Sequence, residues 1–579
     1  MPVLKFPLKR LGLVWFLVFT SLSHSVAAQT VSSEKMYLPL VTRNYIPYSE
    51  WTQDGHDAQR TGYTSIEPKE PWTLLWVWNG SNATGGSSCT GGNPTTGHCY
   101  TPAREARTVT GGGAIYVPAG AAGFYALRKD GPNNTRVLWH KTPTSFNGTP
   151  AYTGDYVFAG GVDGKLYRFD ASDGDYITYN AGSPIQRSVL VAAQHVFVLT
   201  NTGVLHKVDP NTMTQVWTYT PEGNTSNTEG TGLAYSASRN IILYGTNDLY
   251  IHAVNNSDGS KKWRAKPSPN TAGFPNQFLY YWPVVAEQNG VVFVRMRLDH
   301  NTGLAGYPSG DKHIWPNSNA EARTWLTTTP SQQNLFALNL DDGSKKFIPA
   351  VGYGGTEDLV NGQPFVTTGP VPVIKVWPTG HEVAYIHFRN GQSAPPDWRW
   401  DSHMGEMVLN NSTVPGLVAG DMRFVKMNRQ QSGGYAYTYL TDEQNALTMA
   451  GTTIFHAHWG ASESGYITDR SNSRGLSYSN PILTTRRPPV IRRAAASSCA
   501  SVNYTTHYYT CGLNLFGESR YWDGPLFWTY WNTWDPPTPP SAGQAYSDGM
   551  RTRYTYVSGD IIVVQGNGGE LMVFKHSGP

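Results

Sequence analysis

Apolar and polar residues alternate along most of this chain in short runs, and the runs repeat. Ile251 to Trp263 reads IHAVNNSDGSKKW, and Leu335 to Phe347 reads LFALNLDDGSKKF. Each has a period-two strand, a polar turn supplying Asp and Gly, and a second strand that ends in an aromatic residue. The unit recurs as FYALRKDG from Phe124 followed by RVLWHK, LYRFDASDGD from Leu166 followed by YITYN, and LHKVDPNT from Leu205 followed by QVWTYT. Weaker echoes are EMVLNNST from Glu406, GYITDRSN from Gly465 and ELMVFKHS from Glu570. Before most of these units stands a further apolar strand: AIYVPAG, YVFAGG, HVFVLT, IILYGT, VVFVRM, VAYIHF, TIFHAH and IIVVQG.

Eight units of this kind, the compact ones about 40 residues long, predict four-stranded antiparallel blades. None can bury a core alone, and a radial arrangement buries a continuous one. The fold predicted is an all-β, eight-bladed β-propeller, with loops inserted at about 298–331 and 470–545. The last unit lacks an outer strand. The segment WTLLWVWNG, Trp72 to Gly80, is a spare one, and we expect it to close the ring by pairing in the C-terminal blade.

Composition agrees with strands and turns. The 579 residues include 60 Gly and 39 Pro, with 13% aromatic and only 15% charged residues. A formal charge of +3 and one short, proline-broken basic stretch, RRPPVIRR, supply no basic face for nucleic acid. At the N-terminus Lys5, Lys9 and Arg10 precede the apolar run LGLVWFLVFT, and Val26 and Ala28 suit a signal-peptidase site. We therefore expect 1–28 to be a removed signal peptide, 29–50 a linker or extended arm, and 51–579 the propeller. The destination is extracellular, cell-surface or periplasmic. The four cysteines fall into two local pairs, which an oxidising compartment would join as Cys89–Cys99 and Cys499–Cys511, other pairings remaining open. No later segment is apolar enough to span a bilayer.

The pattern strand, [LF]-x-A-[LVF]-[DN]-x-x-[TD]-G, then a strand carrying Trp, resembles the PQQ-like propeller repeat. WTQDGHDAQRTGYT, Trp51 to Thr64, is similar to the segment that starts many such propellers. The resemblance implies the fold and leaves the function open, since the repeat occurs both in quinoprotein dehydrogenases and in propellers with no known enzyme activity. The dehydrogenases join two adjacent cysteines over the quinone, and no two cysteines are adjacent here. No position matches their calcium ligands or catalytic Asp, so no catalytic or quinone-binding residue is carried over and no cofactor is expected. The propeller-type outer-membrane assembly factor is a lipoprotein, and no Cys stands near the cleavage site here.

Two clusters carry candidate chemistry. Asp401, His403 and Glu406, with His456 and His458 from a strand of the next blade, have the ligand types of a single transition-metal site. The alternative is a hydrogen-bonded network on the propeller face. Trp522, Trp528, Trp531 and Trp534 lie in RYWDGPLFWTYWNTWDPP, where exposed rings would stack on sugar faces. The alternative is a small aromatic core within the insertion. No nucleophile triad, redox motif or phosphate loop stands out. The function expected is a secreted binding or scaffold propeller with a carbohydrate or envelope protein as partner. The other reading is an extracytoplasmic enzyme, either a metal-assisted polysaccharide lyase or hydrolase or a diverged quinoprotein.

Overall fold

The computed structural model describes residues 50–68, 72–78, 106–131, 136–223, 226–278, 281–299, 319–351, 358–360, 363–367, 371–378, 380–389, 402–411, 417–425, 430–431, 434–435, 447–451, 453–458, 461–466, 481–482, 552–566 and 571–576. All lie within the compact unit Asn44–Pro579. They form eight blades in a propeller ring, with one α-helix among them, Asn319–Thr328. No helix among the described residues is long and apolar enough to cross a membrane.

Each blade is a meander that starts at the propeller axis. Blade 1 runs Val109–Gly111, Ala114–Pro118, Phe124–Arg128 and Val137–Lys141, paired in that order. Blades 2 to 4 repeat this from Ala151, Leu190 and Ala234. Blade 5 pairs Val284–Ala286, Val291–Arg295, Leu335–Asn339 and Lys345–Phe347, and the expected insertion separates its second and third strands. The helix lies in that insertion and buries Ala322 and Leu326. Blade 6 is built on Val373–Val376, Glu382–Arg389, Ser402–Val408 and Met422–Val425, and blade 7 on Thr448–Ala450, Thr453–His458 and Ala461–Tyr466.

Blade 8 shows the predicted closure. Thr552–Ser558, Ile561–Gly566 and Leu571–His576 are its inner three strands. Its outer strand is Trp72–Trp78, antiparallel to the last of them, with Trp72 opposite His576 and Trp78 opposite Leu571. A strand that precedes blade 1 thus completes the blade formed by the last described strands.

The repeated Asp-Gly turn and Trp have one physical job. In blades 1, 3, 4 and 5 the third and outer strands are joined across a register shift, one residue pair before the turn. The outer-strand Trp then docks on the turn of the next blade. Trp139 Nε1 donates to the Ala171 carbonyl (3.0 Å), Trp217 to Asn256 (3.0 Å) and Trp263 to Leu340 (2.9 Å). The closing strand does the same, Trp76 donating to Lys129 at 2.9 Å. The turn glycine lies flat under the ring: Gly259 has φ +75, and a Cβ there would sit 2.8 Å from Trp217. Only glycine meets both demands.

Candidate functional site

The segment Trp51 to Thr64 lies at the axis and touches one inner strand after another. The amides of Thr110, Tyr152, Tyr235, Val285, Ile374 and Met449, in blades 1, 2, 4, 5, 6 and 7, donate to the carbonyls of Trp51, Thr52, Ala58, Gln59, Thr61 and Gly62 at 2.8–2.9 Å. In blade 3 the Gln53 side chain replaces the backbone, accepting from Val191 N (3.1 Å) and donating to Val191 O (3.3 Å). In blade 8 the Trp51 ring packs against Tyr556 and Tyr554, with centroids 5.4 and 6.2 Å away. Tyr63–Thr64 finally pairs parallel to the inner strand of blade 7. The loop also closes on itself, Gly62 N donating to Gly55 O at 2.8 Å.

Arginines set the electrostatics of this hub. Arg60 is fully buried and spends its guanidinium on backbone carbonyls: Leu233 (2.8 Å), Asp54 (2.5 Å) and Val189 (3.2 Å). Burial pushes its pKa down to about 10, against the pull of Asp54 and Asp57. It remains charged and joins the axial loop to blades 3 and 4. Arg107, just before the inner strand of blade 1, sits 3.6 Å from Asp54 Oδ1. Its guanidinium lies over Trp282, Tyr554 and Tyr281, at 4.8, 5.1 and 5.2 Å from the ring centres. Arg295, at the end of a blade 5 strand, lies 4.7 Å over Tyr281. Such contacts favour a cation most where water is excluded. Burial likewise holds the Tyr554 and Tyr556 hydroxyls protonated, well above the ordinary phenol range. Among the described residues the hub is thus an aromatic centre that brings Arg60, Arg107 and Arg295 together with the buried carboxylate of Asp54.

The residues singled out from sequence fall elsewhere. Glu406 lies in the third strand of blade 6. It is buried and accepts from the Tyr385 hydroxyl at 3.0 Å, which in turn accepts from Trp377 Nε1 at 2.9 Å. These contacts tie Glu406 into the interior of blade 6. His403 occupies the same strand, at the position paired with Phe388. His456 and His458 are in the second strand of blade 7, paired with Glu463 and Ala461. The side chains of these three histidines are outside the described residues, as are Asp401, the tryptophans Trp522, Trp528, Trp531 and Trp534, and the cysteines Cys89, Cys99, Cys499 and Cys511. No group of three His, Cys, Asp or Glu able to hold a metal ion occurs among the described residues.

Sequence reading missed the hub. Arg60 stands in a quoted segment without any sign of its role. Arg107, in AREART, and Arg295, in VRMRLD, stand among other charges beside strands, which does not single them out.

Residues 127–348 match the family model described as outer membrane protein assembly factor BamB. They are PQQ-like propeller repeats. The match covers the blades where the Asp-Gly turn and docking Trp are most regular. A comparison with curated proteins finds no match. Among solved structures, BamB from Moraxella catarrhalis is 12% identical over 82% of this chain and 97% of its own, with a TM-score of 0.42. Quinohemoprotein alcohol dehydrogenase ADHIIG from Pseudomonas putida HK5 is 12% identical over 72% of this chain and 70% of its own, with a TM-score of 0.39. A europium-containing methanol dehydrogenase is 12% identical over 74% and 84%, with a TM-score of 0.41. At these TM-scores the likenesses bear on neither site nor function.

Proposed function

We propose that this PQQ-like propeller is an exported binding platform, a rigid ring that presents its loop-bearing surfaces to an envelope protein or a carbohydrate. The observation that carries the reading is the axial segment. The axis, where a propeller can gather side chains from every blade into one site, is occupied by residues 51–64 of the chain itself. Recognition then falls to surfaces and insertions, where long loops on a rigid scaffold carry function. The likeness of residues 127–348 to a family described as an assembly factor supports a protein partner. The tryptophan-rich insertion supports a glycan.

The quinone that gives the repeat its name is a planar tricyclic. It does not fit among the described axial residues. A Cβ on Gly55 would already lie 2.9 Å from Arg60 Cα, and Trp51 and Arg60 are fully buried.

Two binding measurements on the purified exported protein test the reading. One is retention on a glycan panel, and the other is direct affinity for purified envelope proteins. A glycan-binding platform predicts at least about tenfold weaker retention in Trp528→Ala, Trp531→Ala or Trp534→Ala, the size expected for a lost stacking ring. A protein-binding platform predicts a saturable, specific partner whose affinity those changes leave alone. Turnover of a polysaccharide or an alcohol by the purified protein would overturn both.

A further inference from the structure

The seam between blades 5 and 6 departs from four others. At those four the docking Trp donates to the residue that follows the third strand of the next blade: Ala171, Asn256, Leu340 or Lys129. Phe347 is the blade 5 counterpart, opposite Ala337 as Trp139 is opposite Ala126 and Trp263 opposite Ala253. The residue after the third strand of blade 6 is Leu409. The base of the blade 6 turn is built as in blade 5. Val408 N donates to Asp421 O (2.9 Å) and Gly420 N to Val408 O (2.8 Å), as Asn339 N does to Ser344 O (2.7 Å) and Gly343 N to Asn339 O (2.8 Å). Gly420 has φ +94, and a Cβ there would lie 3.1 Å from the Phe347 ring. The seat of an indole is therefore kept, and a smaller ring without a donor sits in it. The turn above that base is longer, eleven residues (409–419) against the three of 340–342.

A cavity of about 580 Å³ lies at this seam, bordered by Phe347 and Leu409. That is the size of a small-ligand site. A second hollow of about 480 Å³ shares Phe347 and Ala419 with it and runs along the helix at Arg323 and Thr327, which makes a groove. The lining of the first is rich in amides: Gln288, Asn289, Asn410 and Asn411. Asn289 spends its Nδ2 on Glu382 (2.9 Å), and Asn411 spends its Oδ1 on the Ala419 amide (2.6 Å). An amide oxygen at the first and an amide nitrogen at the second are left for a ligand, and Gln288 offers both. Phe347 and the 40% exposed Val418 add apolar surface. Lys346 is the one charged residue of the lining, and Asp341 and Asp342 lie near enough to offset it. Mixed uncharged donors and acceptors beside an aromatic ring suit a ligand with many hydroxyls and C–H faces.

We propose that this groove binds a short neutral saccharide, with one sugar against Phe347 in the space that an indole fills at the other seams and its hydroxyls on Gln288, Asn289 and Asn411. The inference rests on the reading of the protein as a binding platform and moves the glycan seat from the tryptophan-rich insertion to the ring.

The test is calorimetric titration of the full exported protein with cellotriose, maltotriose, mannotriose and triacetylchitotriose, and with trigalacturonate as the charged counterpart. At least one neutral trisaccharide should bind saturably, and more tightly than trigalacturonate. Phe347→Trp restores the docking indole, so it should raise Tm by about 1 °C or more and weaken binding at least tenfold. Gln288→Ala, at an exposed position, should weaken binding about threefold or more with Tm unchanged, and it keeps the test decisive if Phe347→Trp fails to fold. No binding of any neutral trisaccharide, or tighter binding of trigalacturonate, would overturn the proposal. So would neutral binding that a folded Phe347→Trp and Gln288→Ala both leave intact. Loss of that binding in Trp531→Ala instead would remove the seam site and leave the platform reading standing, whereas turnover of the saccharide would remove the platform reading itself.

Discussion

At the scale of residues, two side-chain types hold neighbouring blades together. Trp139 is the first. It is buried, donates to the Ala171 carbonyl of the next blade, and packs on Phe124 and Phe169 at 5.8 and 5.6 Å. Trp139→Phe keeps most of the packing and orphans that carbonyl, and should cost about 1–3 kcal/mol in urea unfolding. Trp139→Ala should cost about 3–5 kcal/mol. Equal costs for the two would show that the hydrogen bond contributes nothing. Buried histidines are the second type. His206 bonds the Tyr179 hydroxyl of the preceding blade at 2.9 Å. His252 lies between Thr246 (3.0 Å) and Tyr219 (3.4 Å), with Arg264 and Asp248 near. Burial pushes both down to about 4 from the ordinary 6.5, with Arg264 adding to the effect at His252. The unfolded chain takes up these protons below pH 6.5, and the folded ring refuses them until about 4. Stability is therefore full above pH 6.5 and falls as the pH drops toward 4. Thermal unfolding across that window should show it, and His206→Gln with His252→Gln should flatten the slope. An unchanged slope would place the acid sensitivity elsewhere.

At the scale of elements, the outer parts of the ring were legible and the centre was not. The Asp-Gly hairpins from Phe124 to Phe347 could be read because strand, turn and docking Trp are local and repeat. The closing role of Trp72–Trp78 could be read because the last unit is one strand short. The axial role of residues 51–64 had no local signal. Its partners lie from Thr110 to Met449, and almost every bond runs through backbone atoms, which leave no mark on residue choice. Arg107 and Trp282 meet only because blades 1 and 5 face each other across the axis.

At the scale of the whole molecule, the N-terminal stretch closes the propeller twice. Residues 72–78 seal the rim by strand pairing, and residues 51–64 tie the inner strands together at the axis. A ring fixed at both radii is stiff and has its centre committed to its own packing, which is what a platform for recognition needs. The most direct measurement of this account is hydrogen exchange of the intact protein, read at the inner-strand amides of Thr110, Tyr152, Val191, Tyr235, Val285, Ile374 and Met449. These amides should be slow, as slow as their neighbours in the second strands, and should open together as one unit. Fast exchange at these seven positions, with the second strands still protected, would mean that the axial segment is not seated and that the axis is open to a ligand or a reaction.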